Sequence, residues 1–240
     1  MIGIKSKRLN IDAVIKSAIL FSFALFFTIT ILTEKVQLYV HPRIVPFLIF
    51  AIVALLEMSL LIMEDVFKPK QKKVNILSYL VFIIPVIMAF SLPTDDIGSS
   101  SMSLATINAN KSQDSSLKLQ GDTIVVEDNN FVKWVQEIYN NPEKYNGKKI
   151  TVTGFVFKDK QFNSNEFVPA RLMMVCCAAD MTPVGLKANY NNASELQQDS
   201  WFKFSGVIVN SKYDGQQTPV INIESIEKTQ KPKYEYVYPY

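Results

Sequence analysis

Apolar residues along this chain obey two different rules. Up to position 93 they run together in three long blocks, residues 13–32, 44–63 and 76–93; after position 94 they alternate with polar neighbours. A helix of about 20 apolar residues, rising about 1.5 Å per residue, crosses a hydrocarbon core of about 30 Å. Alternation with a period of two is instead the mark of a strand with one buried face. The pattern predicts an α-helical membrane segment of three spans over residues 1–93, followed by a small, mostly-β domain. The third block, ILSYLVFIIPVIMAFSLP, carries no charge, and its Pro85 predicts no more than a kink that neighbouring helices accommodate.

Charge gives these spans a direction. Lys5, Lys7 and Arg8 precede the first block, and Lys68, Lys70, Lys72 and Lys73 crowd the segment after the second, whereas TEKVQLYVHPR between the first two is nearly balanced. Basic flanks stay on the cytoplasmic side, so the N-terminus and the second loop are expected inside and the first loop outside. The first block exceeds the roughly 7–15 residues of a signal-peptide core and is read as a retained helix, with Lys16 snorkelling to the headgroups. Three crossings then place the β domain on the extracytoplasmic side of a multi-pass cell-membrane protein. Glu57 lies inside the second block, where a carboxylate costs about 3 kcal/mol even on lenient insertion scales; it is expected to face a partner helix or water, with helix packing or snorkelling as the plainer reading.

The back half divides in turn. Residues 94–116 are rich in Ser, Asn, Asp and Thr and read as a flexible linker. LKLQGDTIVVED predicts a hairpin around Gly121 and Asp122. Asp128 or Asn129 is placed to cap a helix whose apolar face is Phe131, Trp134, Val135 and Ile138, ended by Pro142 and Gly147. Strands follow at 149–157, 167–176, 184–188, 201–209 and 219–226, with a short helix at 193–197 between the third and fourth. Five strands in that order predict an OB-like barrel over residues 117–230, and glycines inside two of them, Gly154 and Gly206, suit the tight coiling of a small barrel. A flat antiparallel sheet with a helix on one face is the alternative. Residues 231–240 are read as a tail or an edge strand.

The most unusual stretch is RLMMVCCAADMTPVG, residues 171–185. Adjacent cysteines give no disulfide framework, and on a regular strand they point to opposite faces, so they serve one ion only where the backbone bends. The segment up to Pro183 permits such a bend. Cys176, Cys177 and Asp180 are therefore candidate ligands for zinc or copper(I), with His41 as a conceivable fourth. Two other readings stay open: thiols that are simply core and turn residues, and a redox pair. A catalytic thiol needs a base, and the sole histidine, His41, is expected at the membrane surface, so the chain is read as non-enzymatic. There is no phosphate loop, HExxH or dinucleotide motif. Phe155, Phe157, Phe162, Trp201 and Phe204 can stack bases in principle. A net charge of +3 and an external location nevertheless argue against nucleic acid.

Three segments together, YVHPR at 39–43, NPEKYNGKKITVTGFV at 141–156 and the CCAAD segment at 176–180, resemble the YcgQ-like family of bacterial membrane permease subunits. The resemblance implies a separately encoded, multi-spanning permease as partner, of the family that includes organoarsenical exporters, and no known substrate. It covers nearly the whole chain, with Arg171 preceding its most specific motif. The expectation is an accessory permease subunit held in the lipid bilayer, with Glu57, His41, Arg43 and Arg171 as candidate partner or pathway contacts. An extracellular redox or ligand-sensing domain, or a structural envelope module, are the alternatives.

Overall fold

The computed structural model describes residues 10–68, 77–91, 102–104, 117, 121–213, 216–232 and 236–239. The chain forms two compact units, Met1–Asp96 and Ile97–Tyr240. In the first, α1 (Ile11–Leu32) and α2 (Val45–Met63) lie antiparallel. Asn10 caps α1 by accepting from the Ala13 N–H at 3.4 Å, and its own N–H donates to the Val66 carbonyl at 2.8 Å, which ties the two helix ends together. Small residues make the seam: Ala13, Ser17 and Ala24 of α1 and Ser59 of α2 are buried. The Ser17 and Ser59 hydroxyls meet at 2.9 Å, and each oxygen also lies within hydrogen-bond reach of the other's carbonyl, at 3.3 and 3.2 Å, so their two protons find acceptors within the seam without help from solvent. At the same end Asp12 accepts from Tyr79 of α3 (Leu77–Ser91) and pairs with Lys16 at 3.1 Å.

Two helical runs, Ile11–Leu32 and Pro42–Phe67, are long and apolar enough to cross a membrane. The third expected span is helical for 15 described residues, fewer than the roughly 20 that a crossing takes, and its expected ends at 76, 92 and 93 lie outside the described residues. Most of the expected 94–116 linker lies outside them too.

The second unit is a five-stranded barrel with added strands. β2 (Lys149–Phe157) pairs with β6 (Trp201–Tyr213), β6 with β7 (Gln216–Lys228), β7 with β5 (Lys187–Asn189), β5 with β3 (Glu166–Met173), and β3 returns to β2. Only the β5–β7 contact in this ring is parallel. Strand order and the single turn of 3₁₀ helix at Ala193–Glu195 are consistent with an OB-like barrel. The flat-sheet alternative fails because β2 and β3 close the ring. α4 (Phe131–Asn140) sends Phe131, Trp134, Val135 and Ile138 into the core with Ile150, Phe204 and Ile221. α5 (Pro142–Tyr145) follows it and brings Tyr145 edge-on to Trp134 at 5.9 Å.

Three strands lie outside the ring. β1 (Thr123–Val126) pairs in parallel with Lys149–Val152; the other arm of the expected hairpin at Gly121 falls mostly outside the described residues. Asn130, in place of the expected Asp128 or Asn129, stands at the N-cap position of α4; its side chain accepts from the upstream Glu127 N–H at 2.8 Å and not from an N–H of the helix. The expected strand 184–188 is two strands, β4 (Thr182–Val184) and β5, which keep one antiparallel register along β3 and are interrupted at Gly185, where the backbone lies so close to β3 that a Cβ would meet the Pro169 carbonyl oxygen and Val168 Cγ1, each at 2.6 Å. β8 (Tyr236–Val237) runs beside the second half of β3, which makes that part of the tail an edge strand.

Arg171 corrects one expectation. Its side chain is 1% exposed, pairs with Asp128 and lies over the Trp201 ring at 5.2 Å and the Phe131 ring at 6.0 Å. That burial leaves no surface for a partner or pathway; Arg171 locks β3 to β6 and α4. Because Asp128 is 57% exposed, it can be hydrated when the arginine is lost, so the damage comes from lost packing. R171A is expected to cost about 2–4 kcal/mol and R171M, which keeps most of the stem, clearly less. Urea unfolding followed by tryptophan fluorescence measures this; an unchanged midpoint for R171A would contradict the placement.

Candidate functional site

The Cys-Cys segment is the hairpin connection between β3 and β4, and its position is fixed from both sides. Met174 and Met181 are buried at its two ends, and the Met174 N–H donates to the Val237 carbonyl of β8 at 3.0 Å. Between these anchors Val175, Cys176 and Ala179 are exposed and Cys177, Ala178 and Asp180 half-buried. The extra strands β4 and β8 thus hold an outward-facing turn on the barrel. Of the plain reading, core and turn residues, the turn part describes both cysteines: Cys176 is exposed and Cys177 half-buried.

Asp180 organises the turn. One carboxylate oxygen accepts from the Val175 N–H at 2.9 Å, the other from the Cys176 and Cys177 N–H groups at 2.7 and 3.2 Å. Three successive amides converge on one anion, a nest closed by a side chain of the same loop. Cys177 and Asp180 also cap the 3₁₀ turn Ala178–Asp180 reciprocally. This bend is what brings neighbouring thiols to one side: the two sulfurs lie 3.7 Å apart, and both, with a carboxylate oxygen, fall within 4.8 Å of one another.

The protons follow from these contacts. Partial burial pushes the Asp180 carboxyl up, but bonds from the Cys176 thiol and the three amides outweigh it and hold the group below the usual carboxylate range. The Cys176 thiol, hydrogen-bonded to that carboxylate and then to Cys177, is pushed up to about 12. At neutral pH the turn therefore holds a carboxylate and a protonated thiol. A tetrahedral ion with metal–sulfur bonds of about 2.3 Å sets its sulfurs about 3.8 Å apart, so the thiol spacing suits such an ion. A carboxylate offers about four lone-pair positions; three face amides and the fourth, which accepts from the Cys176 thiol, is freed when that thiol loses its proton. Zinc or copper(I) would thus be held chiefly by Cys176 and Cys177, with Asp180 as positioning group and weak third donor.

His41 belongs to the helical unit, where it is buried and its Nδ1 accepts from the Arg43 N–H at 3.0 Å, capping the helical run that begins at Pro42. Arg43 and Glu57 are exposed on the same unit. The capping role of Asp180 was missed in the sequence, although the Cys177-x-x-Asp180 spacing is a capping-box spacing and carried the signal.

Comparison with known proteins agrees with this division. The DUF1980 N-terminal domain matches residues 15–108 and the DUF1980 C-terminal domain residues 102–239. The chain is similar to UPF0703 protein YcgQ of Bacillus subtilis, 26% identical over 117 residues, covering 48% of this chain and 41% of that protein. It is similar also to a Streptococcus mutans protein whose name describes a two-component membrane permease complex subunit, 27% identical over 111 residues, 45% of this chain and 40% of that one. The matched stretches span about two fifths of the length of these curated relatives.

Proposed function

The chain belongs to the YcgQ-like family, defined by paired DUF1980 N- and C-terminal domains, and from this we propose that it is a non-enzymatic accessory subunit of a membrane permease complex. The observation that carries the reading is the Streptococcus mutans relative described as one component of such a complex. In this reading the paired apolar helices dock against a multi-spanning permease, and Leu77–Ser91 belongs to a third crossing that delivers the barrel to the extracytoplasmic side. Three helices with one internal carboxyl group offer little of the substrate pathway a transporter needs, which supports an accessory role.

The barrel's part is to present or receive a soft ion at the Cys176–Cys177 turn. Two thiols on an exposed loop make an open site, with coordination positions left for a donor or acceptor protein. Such a site favours exchange over permanent storage. Purification of the intact protein from native membranes is expected to bring down one multi-spanning protein. Exchange of residues 1–93 for an unrelated anchor is expected to abolish this. Recovery of the same partner with the exchanged anchor would exclude docking through the helices. A protease site at the C-terminus is expected to be cut in intact cells stripped of their wall; protection there would reverse the orientation.

A further inference from the structure

We propose that the α2 face centred on Glu57 seats a transmembrane helix of the permease partner, one that carries a basic or amide side chain at the depth of Glu57; this rests on the permease-subunit reading above. Ser59 faces α1, and Glu57, two residues earlier, projects from nearly the opposite side of the helix, since each residue turns about 100°. Glu57 is exposed, and among the described residues no hydrogen bond or ion pair engages it. On its stripe lie Phe50, Val53, Leu60 and Leu61, all exposed.

Depth makes this a recognition face. Ser59 is embedded in the helix seam, and Met63 ends the apolar block six residues after Glu57, about 9 Å along the axis. Lipid at that level offers no donor, and an apolar partner helix would offer none either. The occupant must bring one. A second copy of this chain is disfavoured as the occupant: a two-fold dimer through this face would set the two Glu57 carboxyl groups against each other. A different helix with Lys, Arg, His, Asn or Gln resolves the mismatch and gives the apolar stripe a partner to pack on.

The test compares E57L, E57Q and E57K in the full chain, expressed with the rest of its complex and extracted from membranes. The partner-to-chain ratio is read for each, and a Ser17→Cys, Ser59→Cys pair in the same background reads the α1–α2 seam by oxidative crosslinking. We expect E57L and E57K to lower the ratio about tenfold or more, E57Q to stay within about threefold, and the crosslink to form in all. Full recovery with E57L and an intact seam overturns the proposal and leaves the subunit reading standing. Crosslinks from cysteines at positions 53 and 60 to a second copy of the chain overturn it as well. If the wild-type chain brings no multi-spanning partner at all, both readings fall.

Discussion

Replacing Gly206 by alanine is expected to destabilise the barrel by about 4 kcal/mol or more, a large share of the roughly 5–15 kcal/mol that holds a domain folded. Gly206 sits in β6, the strand hydrogen-bonded to β2 on one side and β7 on the other, opposite Ile150 and Ile223. At this point the β6–β7 register shifts, and the chain bends sharply enough that a Cβ would lie 2.2 Å from the Asn222 carbonyl oxygen, 2.9 Å from the Asn222 carbonyl carbon and 3.0 Å from the Ile223 Cα. All three are backbone atoms, so no side-chain rotation relieves the clash. β7 must move, and with it the ring closure through β5. Gly121 and Gly147 make the control: both have positive φ, 66° and 79°, and open space where a Cβ would go. Alanine there costs only the left-handed backbone strain, about 1–2 kcal/mol. Both tryptophans, Trp134 and Trp201, belong to the barrel unit, so fluorescence of the intact detergent-solubilised protein during urea unfolding reports on that unit alone. A G206A barrel as stable as the wild type would mean that the strands do not coil here as described.

This contrast shows where the sequence is a good guide. Strand 149–157 was legible to the residue, because its first half alternates and its second half is covered on both faces. The glycines of β2 and β6 were legible as coiling points for the same reason. Pairing over long distances was not. Nothing near Thr123 says that it will lie parallel to Lys149, and two residues at Tyr236 become a strand only because β3 offers a free edge. The outer parts of β6 and β7, such as Asn210, Ser211 and Gln217, are polar, so periodicity stopped short of the 13-residue arms. A charge also misleads: Arg171 in a strand reads as a surface residue until aromatic rings and Asp128 enclose it. The site was half legible. The thiol pair and Asp180 stood out in the sequence, whereas the bend that makes them neighbours depends on amides converging on Asp180, which only the folded turn displays.

Under reducing conditions the protein is expected to take up one zinc or copper(I) ion per chain, and the C176S/C177S double variant to lose this by at least about a hundredfold, since hydroxyls cannot replace soft thiolates. The pH dependence follows from the turn. Asp180 has a lowered carboxyl value in the fold, so its stabilising contribution is present above the ordinary value near 3.9 and is lost as pH falls through the lower folded value. Cys176 has a raised thiol value, so the neutral thiol's bond to Asp180 stabilises fully below the ordinary value near 8.5 and is lost as pH rises toward about 12. The ion-free turn is therefore firmest between about pH 4 and 8.5. An incoming ion must displace the Cys176 proton, so binding at pH 7 is expected to release at least one proton, with affinity rising at least about tenfold per pH unit. D180A separates geometry from proton competition: it frees three amides and removes the acceptor that retains the thiol proton. Affinity should fall while proton release per ion at pH 7 stays nearly unchanged, because a thiol returned to its ordinary value near 8.5 is still protonated there. Calorimetry in two buffers of different ionisation enthalpy reads both quantities. Uptake that persists in C176S/C177S, or that does not change between pH 6 and 8, would mean that these sulfurs do not hold the ion.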